Sequence, residues 1–204
     1  MRLSLLMVLF ALHPSMTGFA QDSDFALQDG DTVVFLGDSI TAKRTYGKII
    51  ENYTLMRFPD RHINFINAGV GGDTAADGLA RLEKDVLRHQ PTVVTVAFGI
   101  NDIGWGMTAD DAHRSAHLQA MQQIVQQCVA RDIRIYVCSA AITGNDPAVG
   151  EDSFLQKMCD DAMTLARQHG GHTIDVQREM RKIQQAAWDA SKGKTVEEKR
   201  RLLH

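Results

Sequence analysis

Val93-Val94-Thr95-Val96-Ala97-Phe98 is apolar at nearly every successive position, so both faces of this segment need cover. Side chains alternate between the two faces along a strand, and a run apolar on both belongs in the middle of a parallel sheet. Around it, apolar runs alternate with amphipathic stretches, the βαβ rhythm of such a sheet. The pattern predicts strands at Thr32–Leu36, Ile63–Asn67, Thr92–Phe98, Arg134–Ser139 and His172–Val176. It predicts helices near Tyr46–Met56, Ala75–His89, Ala112–Ala130 and Asp152–His169. Leu118, Met121, Val125 and Cys128 recur at steps of three and four, so one stripe of their helix faces the sheet. Thr108-x-x-Asp111 reads as the cap of that helix. Right-handed crossovers then give an α/β fold, a three-layer α/β/α sandwich on a flavodoxin-like five-stranded parallel sheet.

The first strand delivers the chemistry. Val33-Val34-Phe35-Leu36 runs into Gly37-Asp38-Ser39-Ile40-Thr41, so a buried strand ends in a tight turn that exposes a hydroxyl at the carboxyl edge. Ser39 is the candidate nucleophile, although a serine after Gly-Asp is also an ordinary turn residue. The pattern is Gly-x-Ser-x-Thr, not the Gly-x-Ser-x-Gly elbow of α/β-hydrolases. The second strand leads into Asn67-Ala68-Gly69-Val70-Gly71-Gly72-Asp73-Thr74, whose glycines either permit a tight turn or bare a backbone N–H. The third leads into Gly99-Ile100-Asn101-Asp102, where Asn101 is a turn former or a side-chain donor. Three strand ends thus place Ser39, Gly72 and Asn101 at one edge of the sheet. Asp38 and Asp102 read as acids that hold their turns by accepting backbone N–H bonds. Trp105 either lines a substrate pocket, stacking on a sugar ring, or packs the loop.

As a set, the three blocks resemble the SGNH (GDSL-type) hydrolases, a family of serine esterases, over Thr32 to about Val176. The resemblance implies that Ser39 attacks an ester carbonyl. It also implies that the Ser39 N–H, the Gly72 N–H and the Asn101 amide hold the resulting oxyanion. It implies neither a metal nor an organic cofactor, and small acyl esters, including O-acetyl groups on carbohydrates, as substrates. Lysophospholipids and thioesters are also substrates of such enzymes.

Residues 1–20 read as a secretory signal: Arg2, the apolar run Leu3–Leu12, and Thr17-Gly18-Phe19-Ala20 as cleavage site. A run of about ten apolar residues is too short to anchor in a bilayer. No cysteine marks a lipoprotein anchor. Residues 21–204 then form one SGNH-like domain, exported to the periplasm or the medium. A formal net charge of -3 leaves no footprint for nucleic acid or an anionic membrane. Cys128, Cys138 and Cys159 have no C-x-x-C spacing and read as buried thiols, with one disulfide as the alternative.

A serine hydroxyl needs a base, and the base a carboxylate to orient it. The resembled family supplies both from a late Asp-x-x-His. From Gln177 onward the sole histidine is His204, with Arg201 three positions before it. The single Asp-x-x-His, Asp110 to His113, falls at a helix start after the third strand. His113 and His117 are spaced like metal ligands but have no third partner, and read as a solvated helix face. His62, His89, His169 and His172 lie before or at strand starts, at the edge opposite Ser39. Two readings account for the gap. In one, the domain is truncated ahead of its Asp-x-x-His. In the other, the chain is an inactive carbohydrate- or ester-binding pseudoenzyme that keeps the pocket. The intact Ser39, Gly72 and Asn101 favour the first. A hydride-transfer or nucleotide-binding protein on a similar sheet is the weaker alternative, since Gly-Asp-Ser and not Gly-x-Gly-x-x-Gly follows the first strand.

Overall fold

The computed structural model describes residues 25–144, 152–191, 193–195 and 197–198. The signal-peptide reading of residues 1–20, and His204, lie outside them. Five strands form one all-parallel sheet: β1 (Thr32–Gly37), β2 (Asn64–Gly69), β3 (Val93–Ala97), β4 (Arg134–Cys138) and β5 (His172–Ile174). Their order, β2-β1-β3-β4-β5, is the expected flavodoxin-like one. The helices are α1 (Ser39–Ala42), α2 (Thr45–Arg57), α3 (Ala75–Ala80), α4 (Leu82–Asp85), α5 (Asp111–Val129), α6 (Phe154–Gln168) and α7 (Val176–Ala190).

Strand alternation sorts the core into two layers. Val34, Leu36, Val94, Val96, Ile135 and Val137 meet Met121, Ile124, Val125 and Cys128 of α5 and Met163 of α6. Val33, Phe35 and Val93 face the other way, onto Leu27 with Tyr46, Phe65 and Tyr136. Burying each such aliphatic side chain is worth about 1.5–3 kcal/mol, so the two layers carry most of the fold's stability. At the amino edge Asp31 ties β1, β3 and β4 together. Its carboxylate takes both oxygens to Arg134 at 2.6 Å and accepts from the Thr92 hydroxyl at 2.6 Å.

The long helix predicted over Ala75–His89 is broken into α3, α4 and a short 3₁₀ turn at Leu87–His89. The break falls at Arg81, whose guanidinium reaches back to the sheet edge instead of solvent. Asp110, not the predicted Thr108 and Asp111 pair, caps α5, accepting the His113 N–H at 2.9 Å. The fifth strand stops at Ile174, short of the predicted Val176, because Asp175 turns to cap α7, which starts at Val176. The three thiols are unpaired. Burial pushes Cys128 up to about 12 and Cys159 up to about 11, so neither is a nucleophile at neutral pH. No helix among the described residues is long and apolar enough to cross a membrane.

Candidate active site

Ser39 opens α1 immediately after β1 and is half-buried. The turn that holds it is built from glycines with no room for a side chain. A Cβ on Gly37 would stand 2.2 Å from Thr41 Oγ1 and 2.8 Å from the Ala97 carbonyl. α1 therefore packs tightly on the end of β1, and Asp38 caps it by accepting the Ile40 N–H at 2.9 Å. From β2, the Asn67 side chain donates to the Thr41 carbonyl at 2.6 Å and fixes α1 from the other side.

The second turn lies against the first. The Val70 N–H donates to the Gly37 carbonyl at 3.0 Å, and a Cβ on Gly71 would be in ordinary contact, 3.9 Å, with the Ser39 Cβ. Gly72 is exposed with φ +85°, a left-handed backbone that favours glycine, and nothing stands within 4 Å of where its side chain would be. Arg81 locks this turn in place. Its Nε meets Asp73 Oδ2 at 2.6 Å, while its two Nη atoms donate to the Ala68 and Gly37 carbonyls at 2.7 and 3.1 Å. One planar cation thereby joins the ends of β1 and β2.

The third turn is stitched to the second by two successive residues. Asn101 Nδ2 donates to the Asp73 carbonyl at 2.9 Å, leaving the carboxamide a second N–H. Asp102 Oδ1 accepts the Ala75 N–H at 3.0 Å. The structure thus brings the turns of Ser39, Gly72 and Asn101 to one edge. Asp38 and Asp102 hold their turns as the sequence implied.

Electrostatics report the same convergence. Burial pushes the Asp38 carboxyl up from its ordinary value; the Ile40 N–H opposes this, and the charges of Asp102 and Asp73 add to it. A group whose folded value is raised contributes stability below its unfolded value, near pH 4, and loses it as pH rises through the folded value. Asp38→Asn keeps a good cap and removes one of three neighbouring negative charges. We expect it to raise Tm at neutral pH, with the gain fading as pH falls toward about 4; thermal melts across that range check it.

Trp105 sits in a left-handed conformation (φ 58°) and is 68 % exposed. It lines a cleft of about 330 Å³ together with Ile100, Ile103, Phe154, Gln177 and Arg181. That cleft adjoins the Asn101 turn; Ser39, Gly72 and Asn101 do not line it.

Two residues carry no local signal in the sequence. Arg81 falls inside the helix predicted over Ala75–His89 with nothing to set it apart. His117, expected on a solvated face, is 2 % exposed and stands beside Asp102; its neighbour His113 is the solvated one, held by Asp110 at 2.7 Å. α5 packs against both α3 and α6, so its buried stripe is wide enough to take in position 117. The other described histidines lie away from this edge: His62 meets Asp29, His89 meets Arg88, His172 stacks on Tyr136, and His169 closes α6 with its backbone N–H on the Leu165 and Ala166 carbonyls. Among the described residues no three His, Cys, Asp or Glu side chains gather as metal ligands would.

A five-stranded parallel sandwich with these three blocks at its carboxyl edge has the architecture of the SGNH hydrolases. The chain belongs to the GDSL-like lipase/acylhydrolase family, whose model matches residues 35–204. It is 32% identical over 89 residues to an acetylxylan esterase of Geobacillus stearothermophilus, covering 36% of this chain and 41% of that protein. It is 31% identical over 107 residues to thioesterase 1/protease 1/lysophospholipase L1 of Escherichia coli K12, covering 52% of this chain and 49% of that one. The aligned stretches thus span half or less of those relatives. The solved acetylxylan esterase Axe2 of Geobacillus stearothermophilus superposes with a TM-score of 0.70, covering 88% of this chain and 93% of that one. At 17% identity that likeness shows the fold.

Proposed function

We propose that this chain carries the nucleophile and the oxyanion site of an exported serine hydrolase that cleaves carboxylic esters. Small acyl esters, including O-acetyl groups on carbohydrates, are its substrate class. Ser39 attacks the carbonyl carbon. The Ser39 N–H, the Gly72 N–H and the Asn101 amide receive the charge that develops on oxygen. The convergence of three turns carries this reading: the Val70 N–H bonded to the Gly37 carbonyl two residues before Ser39, and Asn101 bonded to the Asp73 carbonyl one residue past Gly72. Family membership and the acetylxylan esterase likeness support the ester class. Trp105, exposed beside the Asn101 turn, is the residue proposed to meet the sugar or leaving group.

The histidine base is the part these residues do not supply, since the described histidines engaged elsewhere leave Ser39 without one. Loss of a triad base costs on the order of 10⁶ in turnover, while oxyanion donors and binding retain about 10³ to 10⁴ over water. The chain is therefore tested through the reactivity of its serine. A fluorophosphonate probe is expected to label Ser39, faster when free imidazole stands in for the base, and to leave Ser39→Ala unlabelled. No labelling at any imidazole concentration would turn the reading to an ester- or carbohydrate-binding protein without turnover.

A further inference from the structure

We propose that His117 is a positioning residue: through Asp102 it sets the separation between the turns that carry Gly72 and Asn101. The inference rests on the oxyanion role just given to those two residues. His117 lies in the middle of α5 and points inward, with its Nδ1 2.9 Å from Asp102 Oδ1; the two side chains are 1% and 4% exposed. The approach is short but skewed from the line of a hydrogen bond, so the ring acts mainly as a dipole and a wall against the carboxylate.

The same Asp102 oxygen accepts the Ala75 N–H, the first backbone amide of α3 and three residues past Gly72. Asp102 Oδ2 is buried with no partner among the described residues. A carboxylate so placed is costly to bury unless its neighbours hold it. It also feels Asp38. Among the described residues, His117 and the Ala75 N–H are the groups placed to keep it from swinging out. Asp102 is covalently next to Asn101, so a swing that drags the Asp102 backbone moves the carboxamide as well. It also releases the start of α3, and with that the turn that presents the Gly72 N–H. A wide buried stripe on α5 needs an apolar residue at this position for packing alone; an imidazole there serves the carboxylate.

Nuclear magnetic resonance of the chain with ¹⁵N-labelled glycine and asparagine gives the test, read at the Gly72 N–H and the Asn101 side-chain amide. His117→Leu is expected to shift or broaden both signals, and His117→Asn, which restores a polar side chain beside the carboxylate, to return them toward their wild-type positions. Ile124→Val, a buried change on the same helix away from Asp102, is expected to lower Tm without moving either. Should His117→Leu not fold, His117→Gln is expected to move both signals by a smaller amount. Unmoved signals in the folded His117 variants overturn the proposal, as do equal shifts in Ile124→Val. No turnover enters this readout. Failure of the fluorophosphonate test with the signals responsive to His117 would sink the ester reading alone; unmoved signals in a labelled protein would sink the positioning role alone.

Discussion

Asn101→Ala is expected to slow the reaction of Ser39 with a fluorophosphonate, or with an activated ester in the presence of imidazole, by about 10²- to 10³-fold. Among the described residues the carboxamide bonds to the Asp73 carbonyl, and that bond is worth about 1 kcal/mol of stability. If Asn101 were only a turn former, its loss would appear as that modest fall in Tm and little else. An oxyanion donor behaves differently, because its contribution is felt as charge builds on oxygen, where one preorganised donor is worth about 3–4 kcal/mol. The disproportion between rate and stability is the diagnostic. Asn101→Asp sharpens it, since an isosteric carboxylate offers acceptors where the oxyanion needs donors, and its rate should fall below that of the alanine variant. Rates per folded molecule, from labelling time courses normalised by circular dichroism, decide the matter. Equal rates in wild type and both variants remove Asn101 from the site.

The sequence made the sheet readable for a physical reason that did not extend to the site's supports. Val93–Ala97 must be covered on both faces, and that single demand orders the helices around it. Ser39, Gly72 and Asn101 were visible because strand ends and turn chemistry mark them locally. Arg81 and His117 act across the chain, on the Gly37 carbonyl 44 residues away and on Asp102 in a different turn. Helical periodicity registers whether a position is polar, not what it reaches. Spacing alone therefore pairs His117 with the solvent-facing His113, and nothing in the pattern marks the helix break at Arg81. The α5 cap was misplaced by one turn signal competing with another: Thr108 and Asp110 both suit a helix start, and only the His113 N–H aimed at Asp110 separates them.

Gly69→Ala is expected to destabilise the protein by about 3 kcal/mol or more, the upper range for forced overpacking. The reason is local and rigid. A Cβ at Gly69 would stand 2.2 Å from the Ala42 N, 2.6 Å from the Thr41 carbonyl carbon and 2.8 Å from the Ala42 Cα, all of them backbone. No rotamer change relieves such a clash, so either β2 or α1 must shift. β2 is pinned to β1 along its length from Thr32 with Asn64 to Gly37 with Gly69, which leaves α1 to move. α1 begins at Ser39, so the same methyl group that lowers stability displaces Ser39. Gly72→Ala provides the contrast. It has open space for a side chain and only its left-handed φ of +85° to overcome, a penalty of about 1–2 kcal/mol. Chemical denaturation should therefore rank Gly69→Ala well below Gly72→Ala. Probe labelling of the folded fraction should be lost in the first and largely retained in the second. The reverse order would mean that α1 does not rest on β2, and that Ser39 is held by something other than the close approach of these two backbones.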